Sequence, residues 1–218
     1  MRDSTSLDTA VLVFARTPVP GRVKTRLVPR LGEWRAARLH ARLTRHALCV
    51  ARAAACGPVE LFDTSKQRGA DLGQRMHRAL ARVLRRHRGA IVIGADCPVL
   101  RPRELRRAAR WLAGGCDVVL APAEDGGYAL IAARRVSPLL FSGIAWGGPD
   151  VYEVTMRKLI SLGYRWRALD RVWDVDRPED LERLSWPRLA LHVGAFRGSA
   201  ASAGEHTRGP GLTGNARC

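Results

Sequence analysis

Ile91-Val92-Ile93-Gly94-Ala95-Asp96-Cys97-Pro98-Val99-Leu100 is the stretch that decides the fold. Its apolar start reads as a buried strand, too short for a helix, and Pro98 forces a turn just after it. That ending aims the Asp96 carboxylate out of the C-terminal edge of a sheet, where α/β proteins keep their sites. A hard carboxylate there suits Mg²⁺ or Mn²⁺ bridging phosphates, although the same acid can equally cap the turn.

Working outward, apolar runs alternate with helical periods. Upstream, residues 11–15 read as a strand, 17–32 as a Pro/Gly-rich loop, 33–55 as a helix and 59–62 as a second strand. The helix carries Leu39, Leu43, Ala47, Val50 and Ala54 on one stripe. Residues 72–88 repeat the helical period through Leu72, Met76, Leu80 and Val83. Downstream, 102–112 opens with a proline in its first turn and reads as helix. Residues 118–121 and 128–132 are strands, 149–162 a helix, 165–169 a short edge strand and 178–184 a last helix. The alternation predicts an α/β fold with three α/β/α layers, Rossmann-like, around a mostly parallel sheet. One domain is expected over residues 1–190. Residues 191–218, rich in small and polar residues without periodicity, read as a disordered tail.

The chain of 218 residues is 46% hydrophobic, yet no apolar run is long enough for a signal segment or a membrane span. A cytoplasmic protein is therefore expected. Its five cysteines, Cys49, Cys56, Cys97, Cys116 and Cys218, form no CxxC pair, which argues against a disulfide framework or a zinc site. The net charge of +17 invites a nucleic-acid reading. Against it, 34 of the 37 basic residues are arginines spread over every expected helix, with no aromatic-interleaved stripe and no reading module. No specific nucleic-acid partner is expected.

Further segments carry chemistry. Phe14-Ala15-Arg16-Thr17-Pro18-Val19-Pro20-Gly21-Arg22-Val23-Lys24-Thr25-Arg26-Leu27 leaves a strand and leads to a helix, a place where backbone amides and cations can hold phosphate. It is not a Walker A loop, because Val23 rather than glycine precedes Lys24. Lys24 stays lysine in a chain that writes nearly every cation as arginine, and an exposed loop cation reaching one phosphate oxygen accounts for that. In Trp173-Asp174-Val175-Asp176-Arg177-Pro178 the proline prefers the first helical position, so Arg177 becomes the cap residue and Asp176 is free to ligate. Glu124-Asp125-Gly126-Gly127 sits between two strands, either as a hairpin or as a bare loop that a sugar or acceptor can approach. Asp71 can cap the helix that follows it. Trp146-Gly147-Gly148 offers an aromatic plate or a half-buried core residue. His40, His46, His77 and His87 read as solvated on polar helix faces.

Taken together, FARTPVPGRVKTRL, GADLGQRM, GADCPVL, PAEDGGYALI, IAWGGPDV and WDVDRPEDL resemble a bacterial family of glycosyltransferase-A-like proteins. That family is labelled as radical-SAM- or selenodomain-associated transferases, or as arsenosugar-biosynthesis glycosyltransferases. The resemblance runs from Val11 to Leu184 and implies the nucleotide-diphospho-sugar transferase fold, with one antiparallel strand. It implies nucleotide binding by Ala15, Arg16, Gly21, Lys24, Arg26, Gly69 and Asp71. It places Glu124, Asp125, Gly126, Gly127, Trp146 and Gly147 on the acceptor or sugar side. Asp96 and Asp176 become ligands of Mg²⁺ or Mn²⁺, with Asp174 as the second choice, and Lys24, Asp96 and Asp125 become the catalytic candidates. The chain is shorter than the family pattern between its second strand and Gly69, so either a missing sheet edge or a thinned binding wall is expected.

Three activities compete. A metal-dependent glycosyltransferase would take a nucleotide-sugar donor and a small-molecule acceptor. A nucleotidyltransferase, guanylyl- or cytidylyltransferase-like, would join an NTP to a phosphorylated acceptor. A decayed, non-enzymatic binding protein is the third. Oligomeric state is left open, a dimer included.

Overall fold

The computed structural model describes residues 8–184; the expected tail and the end of the expected domain lie outside them. Six strands form one sheet: β1 (Thr9–Phe14), β2 (Val59–Phe62), β3 (Gly89–Gly94), β4 (Val118–Pro122), β5 (Tyr128–Ala133) and β6 (Trp166–Ala168), in the order β2-β1-β3-β5-β4-β6. β5 alone runs antiparallel, to both β3 and β4; the other pairings are parallel. The helices are α1 (Val28–Leu31), α2 (Glu33–Ala54), α3 (Leu72–Leu84), α4 (Pro102–Ala113), α5 (Pro138–Phe141) and α6 (Val151–Ser161).

The sheet is covered on both faces, which is why its strands read as continuous apolar runs. Val11, Val13, Ile91 and Ile93 pack against α2 and α4 through Ala47, Val50, Leu105 and Leu112. Leu12, Phe14, Val92 and Leu120 point the other way, toward Met76, Leu80, Phe141 and Leu159 of α3, α5 and α6. A third cluster, Leu27, Ala36, Leu39, Leu43 and Val175, holds the segment after β1 onto α2.

Two sequence expectations need correction, and one element is new. Residues 17–32 contain a 3-10 turn (Thr25–Leu27) and the short α1, where an open loop was expected. α5, anchored by Ser137 accepting from the Leu139 amide, was not foreseen. The last helix is a 3-10 turn, Pro178–Leu181, and stops before residue 184. Its start follows the sequence argument: Arg177 is the cap and Pro178 the first helical residue. At the shortened edge, residues 63–71 pass from β2 to α3 without another strand. Gln67 closes that edge by donating from Nε2 to the carbonyls of Ala15 and Phe62, at 3.1 and 2.8 Å.

Candidate functional site

β3, β4 and β6 run the same way, so the segments leaving them meet at one sheet edge. Asp96 follows β3, Asp125 follows β4 and Asp174 follows β6. These three carboxylates line one cleft of about 260 Å³, together with Leu72, Met76, Tyr128, Trp146, Gly147 and Val151.

Asp96 is divided between core and cleft. Its Oδ1 is shut off from solvent, while 41% of the side chain stays accessible. Lys24 Nζ lies 2.9 Å from that Oδ1, and His40 Nδ1 lies 3.5 Å from it. Burial opposes ionisation of Asp96. Hydrogen bonding to His40 and the Lys24 charge outweigh it, and the carboxyl titrates below its usual range.

Lys24 itself corrects the sequence reading. It is not an exposed loop cation: its side chain is 4% exposed. Besides pairing with Asp96, Nζ donates to the Val175 carbonyl at 2.5 Å. The residue sits in the left-handed region, at φ 49 and ψ 41, which turns the ammonium inward. Val175 is held twice, because its amide also donates to the Asp96 carbonyl at 2.9 Å.

That clamp separates the two neighbouring aspartates. Asp174 lines the cleft. Burial, then the negative charge of Asp125, pushes its carboxyl up to about 6; Asp96 and Asp176 add to the rise and Lys24 opposes it. Asp176 pairs with Arg26, and its amide donates to Asp180 at 2.9 Å. It is Asp174, the second choice from sequence, that shares the cleft with Asp96 and Asp125.

His40 was read as solvated and is 4% exposed. Its Nε2 donates to the Arg16 carbonyl at 2.9 Å, which ties the loop after β1 to α2. The sequence did carry the signal. His40 stands four residues after Ala36, three before Leu43 and seven before Ala47, on the buried stripe of α2.

The other expected residues divide between cleft and scaffold. Asp125, Gly127, Trp146 and Gly147 line the cleft. Glu124 turns to Arg183, with which it makes two contacts of 2.7 and 3.0 Å. Gly126, at φ +88, has no room for a Cβ, which would lie 1.7 Å from the Pro149 carbonyl oxygen. Trp146 packs on Gly73, stacks on Phe141 and meets Tyr128 edge-on, so it is both half-buried and part of the cleft wall. Asp71 caps α3 by accepting from the Gln74 amide at 2.7 Å. Gly21 turns at φ +73 against Glu33, and Gly69 at φ +144 against Gln74. Ala15 is buried at the end of β1, while Arg16 and Arg22 are exposed on the loop beyond it. Cys97 also lines the cleft, but burial pushes its thiol up to about 11, so it stays protonated and is no nucleophile. Among the described residues, no group of three or more His, Cys, Asp or Glu side chains is arranged to hold a metal ion.

The mostly parallel sheet with one reversed strand and the carboxylate-lined cleft at its C-terminal edge agree with the nucleotide-diphospho-sugar transferase superfamily, which the family and structure matches support. A crystal structure from Desulfovibrio desulfuricans G20, provisionally named a nucleotide-diphospho-sugar transferase, is similar at 28% identity and a TM-score of 0.69, covering 88% of this chain and 89% of its own. A nucleotidyl transferase from Methanothermobacter thermautotrophicus shares the fold at 14% identity and a TM-score of 0.50, covering 85% of this chain and 98% of its own. The chain belongs to the family described as an uncharacterized protein conserved in bacteria (DUF2064), whose match spans residues 35–148. No curated protein matches it significantly. Among the described residues, no helix is long and apolar enough to cross a membrane.

Proposed function

We propose that this protein is a metal-dependent glycosyltransferase that takes a nucleotide-diphosphate sugar as donor. The observation that carries this reading is the set of Asp96, Asp125 and Asp174 on one cleft, with Lys24 sealed behind Asp96. Transfer of a nucleotidyl group from an NTP needs a free cation on the triphosphate as charge shifts there. A lysine already paired with Asp96 and Val175 is poorly placed for that task. The likeness to the Desulfovibrio protein points the same way.

The carboxylates also fit a divalent cation. Asp96 and Asp174 offer hard oxygen donors; burial raises the Asp174 carboxyl most, and the neighbouring charges of Asp125, Asp96 and Asp176, which add to the rise, are ones a cation relieves. Magnesium-type sites commonly use one or two carboxylates and take the remaining ligands from substrate phosphates and water. When bound, such an ion would offset the charge that builds on the leaving diphosphate. Asp96 and Asp174 would hold it, in place of the Asp96 and Asp176 pair expected from sequence. Asp125, at the mouth of the cleft, would accept the proton of the attacking hydroxyl. In that step the acceptor oxygen bonds to the anomeric carbon, the bond from that carbon to the diphosphate oxygen breaks, and the diphosphate leaves with the electron pair.

The test is a product assay with Mn²⁺ and separate panels of nucleotide sugars and NTPs. Release of a nucleoside diphosphate from a nucleotide sugar is the expected result. Pyrophosphate from an NTP, joined to a phosphorylated acceptor, would move the protein to the nucleotidyltransferases. Silence on both panels from folded protein would favour a binding role.

A further inference from the structure

The cleft is an acidic and apolar enclave in a very basic chain. The protein carries a net charge of +17, yet among the described residues no Lys, Arg or His lines this cleft. Three cations on flanking segments are turned elsewhere. Lys24 lies behind Asp96, Arg26 pairs with Asp176, and Arg183 pairs with Glu124. None of these carboxylate partners leaves a guanidinium or ammonium aimed inward.

The opposite wall is apolar. Leu72 is 42% exposed, and Met76, Tyr128, Trp146 and Val151 line the cleft beside it. Trp146 is fixed rather than adaptable: Gly73 leaves space for its ring, and Phe141 and Tyr128 brace it. A rigid aromatic edge beside an exposed leucine gives a ready surface for an apolar body.

Resting on the glycosyltransferase reading, we propose that the acceptor is an unphosphorylated hydroxyl compound, neutral or cationic, that lays an apolar face against Leu72 and Trp146. A phosphorylated acceptor would bring two negative charges to a cleft that offers them no donor cation. Phosphate groups are held by Arg, Lys or clustered backbone amides, and burying one without such partners is costly. A divalent ion does not remove the conflict. Its charge is shared among Asp96, Asp174 and the donor diphosphate, and Asp125 still faces the acceptor. An ammonium group, by contrast, gains from Asp125 and Asp174.

The experiment uses three matched probes: 2-phenylethanol, 2-phenylethylammonium and 2-phenylethyl phosphate. Each is titrated into the full ¹⁵N-labelled chain, and the Trp146 indole resonance, assigned by its loss in Trp146→Phe, reports occupancy of the cleft. A site-resolved signal is needed because the phosphate probe will also meet arginines elsewhere on the surface. The alcohol and the amine should shift this resonance, with the amine binding about tenfold or more tighter than the phosphate. In Asp125→Asn/Asp174→Asn the gap between amine and phosphate should close. Phosphate binding at Trp146 as tightly as the amine would overturn the proposal. So would an unchanged gap in the double variant, or no shift from any probe. No donor is present, so failure here is separate from failure of the nucleotide-sugar assay, which alone bears on the reaction class.

Discussion

The Lys24 ammonium lies 2.9 Å from Oδ1 of Asp96, with its side chain almost wholly buried, so one cation locks the loop after β1 to the end of β3. Because it also holds the Val175 carbonyl, the same group fixes the segment that carries Asp174. Lys24→Ala should therefore destabilise the protein, by about 1–3 kcal/mol, since it leaves the Val175 carbonyl without this donor and the buried Asp96 oxygen with only His40 beside it. Thermal or urea denaturation checks this. An unchanged melting temperature would mean that the lysine is as dispensable to the fold as an exposed loop cation.

Asp174 gives a pH dependence with a definite sign. Its folded-state carboxyl holds a proton up to about pH 6, whereas in the unfolded chain it titrates near 3.8. Protonation thus favours the fold. That stabilisation is complete below about pH 3.8 and is lost as pH rises through about 6. The metal-free Asp174→Asn variant should melt above the wild type near neutral pH, with the advantage shrinking as pH falls from 6 toward 4. Melting curves across that range are the measurement, and a constant offset would contradict the assignment.

His40 should behave as a positioning residue. His40→Leu removes the donor to the Arg16 carbonyl and the neighbour of Asp96 Oδ1, and should cost about 1–2 kcal/mol of stability together with a clear loss of turnover. His40→Gln can still donate to Arg16 and should recover more stability than turnover. Equal recovery of both would reduce the histidine to a packing role.

Gly126→Ala should be among the most damaging small substitutions. The added Cβ would lie 1.7 Å from the Pro149 carbonyl oxygen, and φ +88 is strained for alanine. The turn that carries Asp125 must then separate from the start of α6, where the Tyr152 amide donates to the Gly126 carbonyl at 2.8 Å. A loss on the order of 3 kcal/mol is expected by denaturation. By comparison, Gly147→Ala meets no atom within 4 Å, so it carries only the backbone strain of φ +87 and should be milder.

The sheet was readable in the sequence because its strands are buried on both faces and so appear as uninterrupted apolar runs, as in Ile91-Val92-Ile93. The long helices were readable by period, and the start of the last turn by the preference of Pro178 for the first helical position. α5 and the turns over residues 25–31 escaped because a helix of one turn has no period to detect. His40 lay within reach, on the stripe of Ala36 and Leu43, but a polar residue type masked its position. Lys24 and Asp174 did not. The inward turn of Lys24 depends on a left-handed backbone and on a carbonyl 151 positions further along the chain. The separation of Asp174 from Asp176 depends on the clamp around Val175 and on Arg26. Such long-range pairings leave no trace in local patterns.

Asp96 and Asp174 together are expected to hold a divalent cation on a nucleoside diphosphate. Mn²⁺ binding followed by electron paramagnetic resonance, with and without UDP or GDP, tests it most directly. Wild-type protein should bind Mn²⁺ weakly alone and at least about tenfold more tightly with the matching diphosphate, because the phosphates complete the shell. Asp96→Asn and Asp174→Asn should abolish that enhancement, while Asp176→Asn should retain it. Enhancement that survives Asp174→Asn but disappears with Asp176→Asn would make Asp176, not Asp174, the second ligand.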